Sequence, residues 1–284
     1  MGNDSSRARR RESVRRPIPA TRLSAGRSTA DTHTDLTEQY LVDGWPLEPG
    51  LRVRLARGED MPAVRELSTL AGVNLETEVV DAVASDIAAA GLHVAVRAGH
   101  DAFLRHIAEQ LFAHQGGDQT VPAQHVMLVL VAEHDDQGIV GTAVAYPPVG
   151  LLQQLLKHSQ RTGGNSKQAA QILYSGILAI VRIKVLAVAD GMRGRGIGSA
   201  LLQRCRQIYD HAGYMIVYGQ AQDTPQLGRF YRRHGFDVLA PGAGFDPWVA
   251  FGVHAEVRPG SGERTFIRRR PSKSERQRRR PAPG

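Results

Sequence analysis

The sequence DGMRGRGIGS, residues 190–199, directly follows a mostly β-branched and aliphatic stretch, residues 177–188. That stretch predicts a buried strand, and the apolar spacing after the glycines predicts a helix. A glycine-rich turn between a strand and a helix favours phosphate binding. Glycines let the backbone come close, and the first N–H groups of a helix lack internal partners. Arg193 and Arg195 add positive charge beside this turn.

The spacing of the glycines excludes two common nucleotide-binding loops. A dinucleotide-binding G-x-G-x-x-G motif that began at Gly194 would need a third glycine where Ser199 stands. A Walker loop needs a lysine, and residues 190–199 contain none. What remains is R-x-x-G-x-G, formed by Arg193, Gly196 and Gly198. The alternative to a phosphate site is a plain glycine turn that leads into a helix.

A second motif follows this loop in the chain. Residues 230–236 read FYRRHGF, and Tyr231 lies 38 residues after Arg193, with one predicted helix and one predicted strand between them. The first motif resembles the acetyl-CoA pyrophosphate loop of the GNAT acetyltransferase superfamily, and Y-x-x-x-G-F is similar to a second signature of that family. Residues 51–70 resemble the family's opening strand and helix, and residues 126–146 resemble its second and third strands.

The apolar pattern predicts an α/β fold, a mixed sheet with helices on both faces. The resemblance, which covers residues 51–257, implies a single GNAT-like acyl-CoA N-acyltransferase domain with a mostly antiparallel central sheet. Alternating or continuous apolar residues predict strands over residues 51–55, 126–131, 139–146, 177–188, 214–218 and 248–257.

Charge is unevenly distributed along the chain. Residues 1–27 hold eight arginines against two acidic residues, and residues 258–284 hold nine arginines and Lys273 against two acidic residues. The rest of the chain is net acidic, although the whole carries +8. Low apolar content in both ends predicts disorder. We therefore expect a disordered segment over 1–45, the GNAT-like domain over 46–257 and a disordered Arg-rich tail over 258–284.

The Arg-rich tails have two interpretations. They would make a weak contact with a polyanion such as nucleic acid, or they reflect the arginine bias of a GC-rich bacterium. A single cysteine, Cys205, excludes a disulfide scaffold and favours a reducing compartment. No run of apolar residues is long enough to span a membrane. The expected location is therefore the cytoplasm, and no membrane partner is expected.

The resemblance implies transfer of an acetyl group from acetyl-CoA to an amine, so the chain is expected to be an acyltransferase. In this family the strand before the glycine loop splays from its neighbour, and the pantetheine arm lies in the gap. This implies contacts to the backbone of Leu186 and Val188, with the N–H of Val188 as oxyanion donor. Tyr231 occupies the position of the family's general acid, the alternative being a tyrosine that packs beside Phe230.

The residues implied to bind the cofactor's pyrophosphate form the glycine loop itself: Arg193, Gly194, Arg195, Gly196, Ile197, Gly198 and Ser199. Thr224 is a further cofactor-binding candidate, because Asp223 and Thr224 stand near an asparagine that is frequent in the family.

The general base is not identified by the sequence. Many relatives carry a carboxylate on the strand before the loop, but residues 177–188 contain none, and Lys184 is the only side chain there that could lose a proton near neutral pH. Asp190, Glu133 and His134 are further candidates, each with a structural alternative. A chain of water molecules, with no dedicated base, is another solution that relatives use.

No metal site is expected, because the histidines have no metal-ligand spacing. Two other functions remain open beside the enzyme: a non-catalytic acyl-CoA-binding or regulatory module, and a nucleic-acid-associated acetyltransferase tethered by its basic tails. The acceptor amine, of a small molecule or a protein, is not readable. The oligomeric state is also left open, a homodimer being one alternative.

Overall fold

A computed structural model of the protein describes residues 36–114, 121–252 and 254–270, which fall in one compact unit. Its strands in chain order are β1 Trp45–Glu48, β2 Leu51–Leu55, β3 Leu128–His134, β4 Gly138–Tyr146, β5 Ile180–Val188, β6 Ile216–Gln222, β7 Asp237–Val238 and β8 Glu263–Arg269. They form one sheet in the order β1-β2-β3-β4-β5-β6-β8-β7, in which β5 and β6 are parallel and the other neighbours antiparallel. The predicted mixed, mostly antiparallel sheet is confirmed.

The helices of the described residues lie before, between and after these strands. In chain order they are α1 Glu38–Asp43, α2 Met61–Leu70, α3 Thr77–Ala84, α4 Ala90–Ala98, α5 His100–Ala113, α6 Val121–Gln124, α7 Val149–Arg161, α8 Ser166–Leu178, α9 Ile197–Ala212, α10 Pro225–Arg233 and α11 Trp248–Phe251. No helix in these parts of the chain combines the length and apolar character needed to cross a membrane.

The middle of the sheet is buried on both faces. In β3, Leu128 and Leu130 belong to the apolar cluster of α9, whereas Val129 and Val131 belong to the cluster of α2 and α3. Successive side chains of a strand point to opposite faces, so α9 and the α2–α3 pair cover opposite sides of the sheet. A strand buried on both faces reads as a continuous apolar run, as residues 126–131 do.

Helix α9 begins at the glycine loop, as predicted. Gly196, with φ of +83°, is its N-cap, and its predicted apolar face (Ile197, Leu201, Cys205 and Ile208) is buried. Burial raises the pKa of the Cys205 thiol to about 12, so this thiol stays neutral and behaves as a core residue.

The strand predicted over residues 248–257 is wrong. Pro247 precedes the short helix α11, and the Asp246 side chain accepts a hydrogen bond from the Trp248 N–H at 2.9 Å. Gly252, with φ of +67°, ends that helix. A proline and a capping aspartate before an apolar run favour a helical turn over a strand.

The strand that completes the sheet lies in the segment predicted as a tail, so the boundary drawn at residue 258 is wrong. Strand β8 buries Thr265, Phe266 and Ile267 and pairs with β6 along its whole length. Its arginines are held by the domain, since Arg268 pairs with Asp210 at 2.6 Å. Helix α1 and the start of β1 likewise lie in the predicted segment 1–45. The rest of both predicted tails, residues 1–35 and 271–284, lies outside the described residues.

Candidate active site

A gap opens between the parallel strands β5 and β6. They pair from Ile180 opposite Ile216 to Ile183 opposite Gly219, and no later residue of β5 pairs with β6. Beyond this point β5 continues beside β4 alone, with Val188 opposite Gly141. The edge of β5 that faces β6 is therefore open over residues 184–188.

A β-bulge marks the point where the strands part. The register between β4 and β5 shifts at Val144 and Ala145, which leaves Lys184 as an extra residue in β5. Further along, the Ala189 N–H donates to the Val140 carbonyl at 2.9 Å. Because backbone groups alternate in direction along a strand, the N–H groups of Leu186 and Val188 face away from β4, toward the gap. Their predicted role toward a cofactor remains a prediction.

The glycine loop lies at the far end of this gap and presents unpaired backbone donors. Gly194 and Gly196 both have φ of +83°, a left-handed conformation that other residues rarely adopt. The N–H groups of residues 194–199 donate to no other described residue. Together with the positive end of the α9 dipole, these N–H groups are suited to bind an anion.

The two arginines of the loop already have partners in the protein. Arg193 forms an exposed pair with Asp190 at 2.7 Å, and its Nε donates to the Val188 carbonyl at 3.3 Å. Arg195 pairs with Glu48 of β1 and donates to the Met192 sulfur at 3.1 Å. Arg193 therefore lies at the gap, whereas Arg195 is turned away from the gap, toward the edge strand β1. Asp190, a candidate base, is the exposed partner of Arg193.

Tyr231 lies in α10 and is almost fully buried, with 6% of its surface exposed. Its ring stacks on Phe266 and meets the edges of Phe230 and Phe236. Burial raises the pKa of its phenol well above the usual value, and its hydroxyl bonds to no described residue. The phenol is therefore protonated at neutral pH, as a proton donor must be, although the tight packing also agrees with a purely structural role.

Thr224 caps a helix in this structure. Its hydroxyl oxygen accepts a hydrogen bond from the Leu227 N–H at 3.3 Å, at the start of α10, and the neighbouring Asp223 pairs with Arg264. One acceptor position of the hydroxyl is thus used within the protein, and its proton bonds no described residue and can bond a ligand.

Glu133 is poorly suited to act as a base. It lies on β3, separated from the gap by β4, and accepts hydrogen bonds from Arg52 and Arg54. The hydrogen bond from Arg54 is the main reason that its pKa falls to about 2. Its neighbour His134 accepts a hydrogen bond from the Asp136 N–H within a turn. The structure therefore does not bring either candidate to the gap.

A carboxylate that sequence reasoning missed lies at the bulge. Glu76, just before α3, accepts hydrogen bonds from Lys184 at 2.8 Å and from the Tyr146 hydroxyl at 2.6 Å. Burial by itself would raise the pKa of Glu76, but these two hydrogen bonds outweigh it and lower the pKa. Glu76 lies 108 residues from Lys184 in sequence and belongs to no motif, so no sequence signal pointed to it.

The histidines are dispersed or paired with each other. His106 and His125 approach to 3.1 Å, and burial is the main cause that lowers the pKa of His125 to about 4. No group of three or more histidine, cysteine, aspartate or glutamate side chains within the described ranges is arranged to hold a metal ion.

Comparison with known proteins gives one family and a set of distant structures. Residues 125–238 match the family described as acetyltransferase (GNAT) domain, and no curated protein matches the chain. Ard1 from Thermoplasma volcanium is 14% identical, with 78% of this chain and 97% of that chain covered and a TM-score of 0.38. The structure of yncA from Salmonella typhimurium, solved with its cofactor acetyl-CoA, is 16% identical. The match covers 78% of this chain and 94% of that chain, with a TM-score of 0.39. Naa50 from Arabidopsis thaliana, in complex with the bisubstrate analogue CoA-Ac-MVNAL, is 13% identical. The match covers 77% of this chain and 97% of that chain, with a TM-score of 0.39.

These structural similarities are too weak to bear on the ligand or substrate of this chain. The family match, in contrast, spans β3 to β7 and includes both sides of the gap, the glycine loop and Tyr231. Residues 125–238 of the chain therefore form a GNAT acetyltransferase domain.

Proposed function

We propose that this protein is an N-acetyltransferase that moves an acetyl group from acetyl-CoA to an amine of a small molecule or protein. The observation that carries the proposal is the gap between β5 and β6, which ends at the N–H groups of residues 194–199, donors that bond no described residue. This arrangement lies within a GNAT acetyltransferase domain. An open strand edge that leads to an anion site fits a long ligand with one anionic end.

The glycine loop would hold the pyrophosphate of acetyl-CoA. Backbone N–H groups at a helix N-terminus bind anions without needing lysine, which this loop lacks. Arg193 would add a full charge by releasing Asp190, its exposed partner. The pantetheine arm would then lie along β5, where the N–H groups of Leu186 and Val188 face the gap, and Thr224 would offer its free hydroxyl proton from the β6 side.

The reaction would proceed by direct attack of the amine on the thioester. The amine nitrogen loses a proton and forms a bond to the carbonyl carbon, the carbon–sulfur bond breaks, and the sulfur takes up a proton. A backbone N–H of β5 on the edge that faces the gap, farther from the glycine loop than Val188, would stabilise the negative charge that develops on the carbonyl oxygen. Tyr231, whose raised pKa keeps its phenol protonated, would supply the proton to the leaving sulfur.

The proposal is tested with the full chain in two steps. Calorimetry should show that acetyl-CoA binds and that NAD and ATP bind much more weakly. A set of primary amines should then be incubated with acetyl-CoA, with release of free thiol as the readout. Tighter binding of NAD or ATP would overturn the assignment of the donor. Binding of acetyl-CoA without thiol release by any amine would favour a non-catalytic acyl-CoA-binding module instead.

The location of the protein and the role of its tails remain predictions from sequence. We propose a cytoplasmic bacterial enzyme, on the support of its single, buried cysteine and its Arg-rich composition. Contact of the tails with a polyanion would involve residues outside the described ranges.

A further inference from the structure

A polar cluster lies at the base of the gap, on the face of the sheet covered by α2 and α3. Its members come from four parts of the chain: Glu76, Tyr146, Arg182, Lys184 and Gln220. Tyr146 lies directly opposite Arg182 in the register of β4 and β5, so both side chains project from one face. Lys184 and Tyr146 both bond Glu76. Arg182 reaches across the parting strands and donates to the Gln220 side chain at 2.7 Å.

The charges in this cluster do not balance. Lys184 is neutralised by Glu76, and their side chains are 22% and 42% exposed. Arg182 has no carboxylate partner within the described ranges, and its Nε is buried without a hydrogen-bond partner there. Gln220 is neutral and already donates to the Arg258 carbonyl at 2.8 Å. A partly buried guanidinium with an unused donor is costly unless an anion completes it.

The position of the cluster relates it to the donor site. Arg182 and Lys184 flank Ile183, the last residue of β5 that pairs with β6. Val188, beside the glycine loop, lies six residues beyond Arg182, which corresponds to about 20 Å along an extended strand. The α9 side of the sheet therefore carries the glycine loop, with its anion-binding N–H groups of residues 194–199, at one end of the gap. The opposite side carries the polar cluster at the other end, where the reactive end of a stretched donor would lie.

We propose that the acceptor is a free amino acid, whose carboxylate binds Arg182 and whose ammonium binds Glu76. This proposal rests on the proposed acetyltransferase function. A guanidinium with an unused Nε matches the planar geometry of a carboxylate. Glu76 already binds an ammonium group, that of Lys184, at 2.8 Å, and the acceptor's ammonium takes this place. Tyr146 keeps the carboxylate of Glu76 oriented while Lys184 is displaced.

The reaction with this acceptor balances without a further reagent. The ammonium passes one proton through Glu76 to solvent, and the free amine attacks the thioester carbonyl of acetyl-CoA. A carbon–nitrogen bond forms, the carbon–sulfur bond breaks, and the products are an N-acetylamino acid, CoA with its thiol protonated, and one proton. Glu76 touches the acceptor in this scheme, and Arg182 binds it without taking part in proton transfer.

The first test compares acceptors with and without a carboxylate. The twenty common amino acids and their methyl esters are incubated with acetyl-CoA and the full chain, with thiol release and product mass as readouts. We expect at least one amino acid to be acetylated, with kcat/KM at least about tenfold above that of its methyl ester, because a site built for a polar group rejects analogues that lack it. Esters that equal or exceed the free amino acids would overturn the proposal.

The same experiment separates this proposal from the proposed function. If acetyl-CoA binds and simple alkylamines are acetylated but no amino acid is, the acceptor proposal is overturned and the acetyltransferase function stands. If acetyl-CoA does not bind, both are overturned.

The second test uses variants of the cluster. Arg182→Gln should raise KM for the preferred amino acid by about tenfold or more and leave KM for its methyl ester nearly unchanged. Arg182→Lys, which keeps the charge but not the planar fork, should restore part of the affinity and shows that the position tolerates substitution. Glu76→Gln should lower kcat/KM for amino acid and ester alike, since both carry the ammonium.

Matched controls come from exposed residues near by or of the same type. Glu78→Gln, two residues from Glu76, and Arg105→Gln, on α5, should leave kinetics with either acceptor unchanged. All variants should keep wild-type affinity for acetyl-CoA, which excludes misfolding as a cause. Equal loss with amino acid and ester in Arg182→Gln would overturn carboxylate recognition, and assign Arg182 to the donor carbonyl or to the fold.

Discussion

The ring of Tyr231 lies flat against the ring of Phe266, with centroids 3.6 Å apart and planes inclined by 9°. Phe266 belongs to β8 and is 2% exposed, and it also meets the edge of Phe236. The residue proposed as the general acid is thus held in place by the strand that composition assigned to a tail. Stability and catalysis should therefore both depend on β8.

Replacing Phe266 by alanine tests this dependence. The substitution removes a buried ring, which typically costs about 3–5 kcal/mol of unfolding free energy, and it also frees Tyr231 to move. We expect a large loss of stability in urea denaturation and a loss of turnover. Phe112→Ala is the matched control, because Phe112 is 74% exposed and should change stability little. Similar unfolding free energies for the two variants would contradict the packing role of Phe266.

Truncation at two points tests where the domain ends. A chain that stops after residue 270 keeps β8 and should unfold at the same temperature as the full chain. A chain that stops after residue 260 loses the buried Thr265, Phe266 and Ile267 and exposes the edge of β6, so it should lack a cooperative transition. Circular dichroism during heating distinguishes the two. A cooperative transition in the shorter chain would mean that β8 is dispensable.

Local patterns predicted the part of the fold that surrounds the glycine loop, and long-range contacts explain the rest. The spacing of Ile197, Leu201, Cys205 and Ile208 identifies the buried face of α9 because one helix turn relates these residues. Strand β8 has only three buried residues, which lie among arginines. The apolar content averaged over residues 258–284 is therefore low and did not reveal this strand.

The acceptor side of the site was missed for a similar reason. Glu76 meets Lys184 only after β4, β5 and the segment before α3 have come together, and nothing in its sequence neighbourhood anticipates this. The bulge at Lys184 depends on the register between two strands, which the sequence of one strand does not reveal.

Substitution of Gly196 tests whether the glycine loop binds an anion. An added methyl group would meet no protein atom within 4 Å, so Gly196→Ala causes no internal clash. It does disfavour φ of +83°, by about 1–2 kcal/mol, and it points into the space where the pyrophosphate would bind. We expect calorimetry to show a large loss of acetyl-CoA affinity. Gly150→Ala, in open space without positive φ, should bind normally, and an unchanged affinity in Gly196→Ala would reduce the loop to a turn.

The ion pairs of Glu133 should make stability depend on pH in the acid range. The hydrogen bond from Arg54 lowers the pKa of Glu133 from 4.5 to about 2, so its stabilisation is complete above the unfolded pKa and disappears as pH falls toward 2. We expect the urea concentration at the unfolding midpoint to decrease as the pH is lowered from 4.5 to about 2. Glu133→Gln should flatten this part of the plot of midpoint against pH. Glu59→Gln, at a side chain that is 72% exposed, should leave the curve unchanged. Parallel curves for Glu133→Gln and wild type would contradict the lowered pKa.

The role of Tyr231 is tested by removing its hydroxyl alone. Tyr231→Phe keeps the ring stacked on Phe266, and since the hydroxyl bonds to no described residue, stability should change by less than about 1 kcal/mol. General-acid help is worth about 10²–10⁴-fold in rate, so turnover with an accepted amine at saturating acetyl-CoA should fall within that range. Tyr174→Phe, at an exposed tyrosine, is the control and should keep full activity. A loss below about threefold would leave Tyr231 as a packing residue, because the leaving thiolate would then be stabilised by dipoles or water instead. A weaker affinity for acetyl-CoA at unchanged turnover would make the hydroxyl a cofactor contact and would require a different acid.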